Sequence, residues 1–166
     1  MSKAFTSEET EDTSVAGRPP QRVARGQERP ITPDGHKALV DELARLETSG
    51  RAEVRGLSVE HEREQAKRQL EARVAMISAT LESVRVVALP ETADGVVRFG
   101  STVTLRWSDG RSQTLRLVGP DEADVKSGRL SIEAPLARAL LDAREGSEIE
   151  VERPRGVEEA TVERVR

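Results

Sequence analysis

The hydrophobic positions of this chain change their spacing near residue 87, which divides the sequence into a helical part and a β-rich part. Upstream, apolar residues recur every three or four positions, the period of an α-helix. Downstream they alternate with polar residues, the period of a half-buried β-strand. We therefore predict an α+β protein in which two helices precede a sheet.

The first helix is predicted to begin at Pro33, because the hydroxyl of Thr32 can cap it and a proline loses nothing at the first helical position. Apolar residues then step by three and four along two segments, which is the seam of a coiled coil. The seam consists of Leu39, Leu43, Leu46, Leu70, Val74, Ile77, Leu81 and Val84.

The seam is apolar at its two outer ends and charged between Arg51 and Arg68. An antiparallel hairpin over 31–86 that turns at Gly56–Ser58 therefore pairs apolar residues at its base and leaves a polar, loosely held tip. A turn at Thr48–Gly50 is the alternative, but it would leave arms of very unequal length.

Alternating segments from residue 87 to the C-terminus predict an antiparallel β domain over 87–166. The strands VVRFGSTVTLRW and QTLRLV flank Asp109–Gly110, a tight-hairpin signal. Pro135 opens one short apolar helix that ends near Gly146, and the last two strands meet at a turn over Pro154–Gly156.

Residues 1–30 start acidic, turn basic, and contain few large apolar groups. Such a segment cannot bury enough surface to offset its chain entropy, so we predict a disordered tail. Two interpretations remain open for it, a solubilising leader or a contact with an acidic partner through its four arginines, Arg18, Arg22, Arg25 and Arg29.

Composition narrows the classes of function. The absence of cysteine excludes disulfides and thiolate chemistry, and no segment has the roughly 18 to 20 apolar residues that span a bilayer, so we expect a soluble cytoplasmic protein with no membrane contact. A net charge of -4, one tryptophan (Trp107) and no tyrosine leave little for polyanion binding or base stacking. We expect no autonomous DNA or RNA binding.

Four stretches of the chain form a recognisable set: ITPDGHKALVDELARL, VRFGSTVTL, LRLVGPDEADVKSGRLSIEAPLARALL and EGSEIEVERPRG. The most specific part is G-x-D-E-A-D followed by I-x-x-P-x-A-R-A-L. Together these stretches resemble the Gre factors, bacterial elongation factors that bind RNA polymerase and stimulate transcript cleavage. The resemblance runs from Ile31 to the C-terminus.

The resemblance implies a coiled-coil hairpin that enters the secondary channel of the polymerase and an FKBP-like C-terminal domain that grips the channel rim. It implies RNA polymerase as the partner. We expect a monomer with no cofactor or metal of its own. The residues expected at the rim are Pro120, Asp121, Glu122, Asp124, Pro135 and Leu136. A plain polar turn is the alternative for the three acidic residues, and Ala134 stands where many relatives have a capping serine, which weakens the cap by about 1 kcal/mol.

Family members that stimulate cleavage carry a G-D-x-x-E-N-type motif at the hairpin tip, whose carboxylates help to hold a magnesium ion. This sequence lacks the motif. Its hairpin is also shorter than in cleavage-competent relatives by roughly six residues per arm, which is about 9 Å at helical rise. We therefore expect no enzymatic or cleavage-stimulating activity.

Three interpretations of the tip are kept open: a solvated, salt-bridged helix face, a displaced acidic tip in which Glu53 and Glu60 hold metal, and a metal ligand at His61. The first is favoured because Glu60 and Glu64 lie one helical turn apart beside Arg63. The tip residues are Glu53, Arg55, Gly56, Leu57, Ser58, Glu60 and His61.

The leading functional hypothesis is a non-cleaving regulator that occupies the secondary channel, and the runner-up is a cleavage factor that rescues backtracked complexes. A prolyl isomerase is disfavoured because the domain offers only Phe99 and Trp107 to line an apolar pocket. A coiled-coil platform that acts without polymerase is disfavoured because the β domain keeps the signature.

Overall fold

The structure, a computed structural model, describes residues 28–89, 94–153 and 156–166. The helices are α1 Pro33–Arg45, α2 Arg51–Gly56, α3 Glu60–Ser83 and α4 Pro135–Leu140. The strands are β1 Arg29–Ile31, β2 Val84–Val86, β3 Thr102–Trp107, β4 Ser112–Val118, β5 Arg129–Ser131, β6 Glu148–Arg153 and β7 Gly156–Val165. The mixed α+β class predicted from the sequence is confirmed, and no helix among these residues is long and apolar enough to cross a membrane.

The first helix begins as predicted. Thr32 is the N-cap of α1, and its Oγ1 accepts a hydrogen bond from the backbone N–H of Gly35 at 3.0 Å. This bond satisfies one of the amide groups that a helix leaves free at its start.

A π-helical segment, Leu46–Gly50, joins α1 to α2 without a reversal, so the alternative turn at Thr48–Gly50 is wrong. The wider turn absorbs one extra residue, and beyond it Val54 lines a groove together with Leu70 and Val74 of α3. Gly50 is buried there, and a Cβ on it would lie 3.0 Å from Cδ1 of Leu70.

α3 returns alongside α1 and α2, with which it forms a unit that we call the helical arm, residues 33–83. The chain reverses at the non-helical residues 57–59, which overlap the preferred turn at Gly56–Ser58. Glu42 on α1 accepts hydrogen bonds from the guanidinium of Arg73 on α3 at 2.8 and 2.9 Å. This pairing ties the two sides of the arm together near the middle of α3.

The base of the arm differs from the prediction. β1 and β2 form a two-stranded parallel pair that aligns Arg29 with Val84 and Ile31 with Val86. The tail boundary at residue 30 is therefore wrong, since Arg29 and Pro30 are paired strand residues, and Val84 belongs to β2 instead of the helical seam. Residues 1–27, on which the rest of the disorder prediction falls, lie outside the described residues.

The second sheet has the strand order β5-β4-β3-β7-β6. Its three pairings other than β4 with β5 are antiparallel, whereas β5 runs parallel to β4. The expectation of a wholly antiparallel domain is wrong at this edge, because the chain crosses back through residues 119–128 before it forms β5. Those residues contain two 3-10 turns, Pro120–Glu122 and Val125–Ser127.

Two elements of this domain are shorter than the sequence predicts. Residues 96–101 lie outside β3, which begins only at Thr102. α4 ends at Leu140, well before Gly146, and Asp142 follows with a positive φ of 65°. The Asp109–Gly110 turn is confirmed, because the N–H of Trp107 bonds the carbonyl of Arg111 at 2.9 Å and Gly110 has φ 87°.

The core of the β domain lies between one face of this sheet and α4. Alternate residues of β3, β4 and β7 point into it, as the two-residue period predicts. Its central side chains are fully or almost fully buried: Val103, Leu105, Trp107, Leu117, Leu140 and Val162.

The helical arm has a thinner core, which predicts uneven stability along its length. Ile77 is the one buried side chain of α3, whereas the residues around the turn are largely exposed. Amide hydrogen exchange should therefore be faster over residues 51–68 than over 70–83, because opening free energy follows the apolar burial that holds a segment. Uniform protection along the arm, measured by exchange and mass spectrometry, would contradict this reading of the seam.

Candidate functional site

A buried carboxylate, that of Glu122, connects the β domain to the start of the helical arm. Glu122 is 8% exposed and lies 90 positions from Thr32. Its Oε1 accepts from the N–H groups of Thr32 at 2.8 Å and of Gly119 at 2.9 Å. Its Oε2 accepts from the hydroxyl of Thr32 at 2.6 Å. We name the group Thr32, Gly35, Gly119 and Glu122 the base clamp.

Two glycines make room for the base clamp. A Cβ on Gly35 would overlap Oε2 of Glu122, and a Cβ on Gly119 would overlap the carbonyl oxygen of Pro30 in β1. Neither glycine has a positive φ in the structure, so close approach is what requires glycine at both positions. The sequence prediction placed Glu122 at a partner surface, whereas its carboxylate points into the protein.

Asp121 also faces the base of the arm. Its Oδ2 lies 2.7 Å from Nε of Arg29, and each of these two side chains is 19% exposed. The guanidinium of Arg29 in addition donates to Oγ of Ser83 at 2.9 Å. Burial raises the pKa of Asp121, and the attraction of Arg29 opposes that rise only in part.

Neutralising Asp121 should therefore cost little stability. In Asp121→Asn the free energy of unfolding should change by less than about 1 kcal/mol at neutral pH, because the lost attraction is offset by relief of charge burial. A group with a raised pKa stabilises the fold most at low pH, and this contribution is lost as the pH rises through the raised pKa. The stability of Asp121→Asn relative to wild type should thus increase from acidic to neutral pH in denaturant titrations. A relative stability that falls over this range would show that the ion pair dominates.

The residues after Asp121 and Glu122 form a tightly bonded loop, which we call the presenting loop, residues 124–129. Asp124 accepts from the hydroxyl of Ser127 at 2.7 Å and from the N–H of Lys126 at 3.1 Å, and these bonds lower its pKa. Gly128 closes the loop with φ 73°. Two backbone bonds of 2.9 Å between Asp124 and Arg129 hold its two ends together.

The presenting loop holds an apolar side chain in solvent. Val125 is 81% exposed, more than any other large hydrophobic residue among those described. Sequence reasoning missed it, although an apolar residue directly after the acidic run was the available signal. An exposed hydrophobe on a rigid loop is typical of a protein contact, since little entropy is lost when it is buried by a partner.

The corner at the start of α4 lies immediately after β5. Pro135 is the first residue of the helix, and Ala134 is an N-cap without a side-chain bond, as the sequence predicted. Leu136 is half-buried and packs against the core of the β domain. Pro120, Asp124 and this corner therefore gather around β5 at one edge of the sheet.

The tip residues lie at the other end of the arm. α3 has 24 residues, so its first residue, Glu60, lies about 36 Å from its last at helical rise. Glu60 forms an exposed ion pair with Arg63, whose Nη1 also contacts the carbonyl of Leu57 at 3.4 Å. Glu53 in α2 and His61 in α3 are exposed on the two sides of the turn.

The charges of the tip are mixed. Between residues 51 and 68 the sequence has five basic and four acidic side chains, so no local excess of carboxylates concentrates a divalent cation. In the part of the chain that the structure describes, no three acidic or histidine side chains come together as a metal site. The Glu60 and Arg63 pair agrees with the solvated, salt-bridged interpretation of this helix face.

The fold and the site define a two-part protein, in which a β domain with a rigid presenting loop carries a helical arm whose base it clamps. The family model for the C-terminal domain of the transcription elongation factors GreA and GreB matches residues 91–166. The chain is 38% identical over 141 residues to the transcription elongation factor GreA of Hyphomonas neptunium, an alignment that covers 76% of this chain and 90% of that protein.

The chain is also similar to a GreB protein and to a solved Gfh1 structure. Over 147 residues the chain is 37% identical to the transcription elongation factor GreB of Neisseria meningitidis serogroup A, covering 80% of this chain and 90% of that one. The crystal structure of Thermus aquaticus Gfh1 is 25% identical with a TM-score of 0.41, covering 84% of this chain and 98% of that one. On the sequence matches the chain belongs to the GreA/GreB family of transcription elongation factors.

Proposed function

We propose that this protein is a transcription regulator that binds bacterial RNA polymerase without stimulating transcript cleavage. The β domain, FKBP-like in its fold, docks on the rim of the secondary channel. The helical arm enters the channel as an antiparallel coiled-coil hairpin. The protein acts as a monomer, brings no cofactor or metal of its own, and performs no reaction itself.

The charges of the hairpin tip are the main support for a role without cleavage. A factor that stimulates cleavage has to offer carboxylates to a second magnesium ion, at spacings that tolerate errors of only tenths of an ångström. Here Glu60 is paired with Arg63, and basic side chains balance the acidic ones over the tip. Such a tip suits passive occupation of a channel better than delivery of a metal.

The docking part of the proposal is supported by the edge of the sheet around β5. The presenting loop and the Pro135–Leu136 corner offer an exposed valine, a bonded acidic loop and an exposed proline on rigid backbone. Asp121 and Glu122 contribute differently from the sequence expectation, because both are engaged with the base of the arm. Their contacts therefore lie inside the protein, next to the docking edge, and not on its exposed side.

A single substitution tests the docking edge without disturbing the fold. Val125→Asp should weaken binding to purified bacterial RNA polymerase at least about tenfold, because it places an unpaired charge where a partner would bury an apolar group. Val157→Asp is the matched control, since Val157 is 60% exposed in the β6–β7 pair at the opposite edge of the sheet. Affinity measured by fluorescence anisotropy should be unchanged in the control, and equal affinities for both variants would contradict docking at this edge.

A further inference from the structure

Polar contacts at its base join the helical arm to the β domain. They include the base clamp, the ion pair of Asp121 with Arg29, and Asp34, whose Oδ2 lies 3.0 Å from Nη2 of Arg116 in β4. We propose that Glu122 and Thr32 are positioning residues that fix the arm at one angle. The consequence for polymerase rests on the proposed function, but the positioning itself does not.

The hydroxyl of Thr32 links α1 to the β domain, because it accepts one hydrogen bond and donates another. It accepts from the N–H of Gly35 inside the first turn of α1, and it donates to Oε2 of Glu122 from the β domain. The N–H of Thr32 donates to Oε1 of the same carboxylate at 2.8 Å. Two bonds from one residue to both oxygens of one carboxylate restrain rotation as well as distance, in the way that bidentate pairs do.

Breaking the base clamp would leave buried hydrogen-bonding groups without partners. Thr32 is 1% exposed and Glu122 is 8% exposed, so donors that lose the carboxylate have little access to water. Buried hydrogen-bonding groups without partners are strongly disfavoured, and this keeps the arm in the one orientation that satisfies all of them. The neighbouring pair of Asp121 and Arg29 lies closer to solvent, since each of its two side chains is 19% exposed.

Small rotations at the base become large displacements at the tip. Over the roughly 36 Å of α3, a rotation of about 10° moves the tip by about 6 Å. A hairpin that has to enter a narrow channel while the β domain is docked at the rim therefore needs a fixed angle. The base clamp provides that angle before binding, which reduces the entropy lost on association.

Spin-label distances test the positioning role in the free protein. The chain has no cysteine, so Glu64→Cys on the arm and Glu150→Cys on β6, both exposed positions, take nitroxide labels at those two sites alone. Pulsed electron resonance then gives the distribution of arm angles. Trp107, the one tryptophan and 3% exposed in the core of the β domain, reports the fold of that domain by its fluorescence.

Thr32→Val keeps the shape of the residue and removes the hydroxyl, whereas Thr32→Ser keeps the hydroxyl. We expect Thr32→Val to widen the distance distribution roughly twofold, as the arm samples several angles, with unchanged Trp107 emission. Glu122→Gln should widen it too, because the amide oxygen of glutamine can accept from one of the two Thr32 donors, whereas its amide nitrogen cannot accept from the other. Thr32→Ser should give the narrow wild-type distribution.

Two results would overturn the positioning role. One is a narrow distribution in both Thr32→Val and Glu122→Gln. The other is widening that occurs only together with loss of the Trp107 signal, since that indicates a role in stability alone. Either result applies whether or not the protein binds polymerase.

Measurements with RNA polymerase then separate this inference from the proposed function. Thr32→Val should bind with an affinity close to that of wild type through the presenting loop, yet its effect on transcription should fall about twofold, as expected if about half of the arm angles that it samples are competent. A wild-type protein that does not bind polymerase would refute the proposed function and leave the spin-label result intact.

Discussion

Backtracked elongation complexes that receive this protein with magnesium should keep their RNA uncleaved. We expect a cleavage rate within about twofold of the rate without any factor, because no transition-state charge is stabilised unless a second metal is held in place. The structure gives two reasons for this. Basic side chains balance the acidic ones over residues 51–68, and Glu60 is already bonded to Arg63.

A cleavage-competent relative of the family provides the positive control in the same reaction. If this protein stimulates cleavage, the variants Glu53→Ala and Glu60→Ala decide the cause. Activity that disappears in either variant would show that the tip carboxylates reach the polymerase active site, and the cleavage factor would replace the non-cleaving regulator as the function.

Replacing Gly119 by alanine should be among the most damaging single changes in the chain. The added Cβ would overlap the carbonyl oxygen of Pro30, which belongs to the backbone of β1 and cannot move as a side chain would. We expect a loss of at least about 2 kcal/mol in the free energy of unfolding, as in other overpacked sites. The shift of β1 should also break the bond from the N–H of Gly119 to Glu122.

Gly56→Ala is the matched control for this substitution. Gly56 ends α2 near the tip, and a Cβ there would meet nothing within 4 Å. Alanine is favoured over glycine in a helix by up to about 1 kcal/mol, so this variant should be as stable as wild type or more stable. Equal losses in Gly119→Ala and Gly56→Ala, measured by chemical denaturation, would contradict the close approach at β1.

The elements that the sequence predicted correctly are those with local causes. The cap at Thr32, the tight turn at Asp109–Gly110 and the helix start at Pro135 each depend on side chains within a few positions of one another. Turn and capping preferences act over this range. The reversal after Gly56 also has a local cause, because charged residues replace the apolar seam there.

The parts that the sequence did not predict depend on partners far apart in the chain. β1 and β2 are three residues each, too short for alternation to be recognised, and they pair across the whole helical arm. Glu122 lies in an acidic run that has the composition of an exposed turn, and its buried state depends on Thr32, 90 positions away. No local pattern shows such a contact, because what makes burial of the carboxylate favourable is the set of donors that folding brings to it.

If the protein occupies the cleavage-factor site on RNA polymerase without stimulating cleavage, as we propose, it should compete with a cleavage-competent relative of the family. The decisive experiment titrates the protein into backtracked complexes that contain a fixed concentration of such a relative. We predict that cleavage decreases in proportion to occupancy, that Val157→Asp competes as well as wild type, and that Val125→Asp competes at least about tenfold less well. Cleavage that stays constant, or increases, as the protein is added would show that the protein is not a non-cleaving occupant of this site.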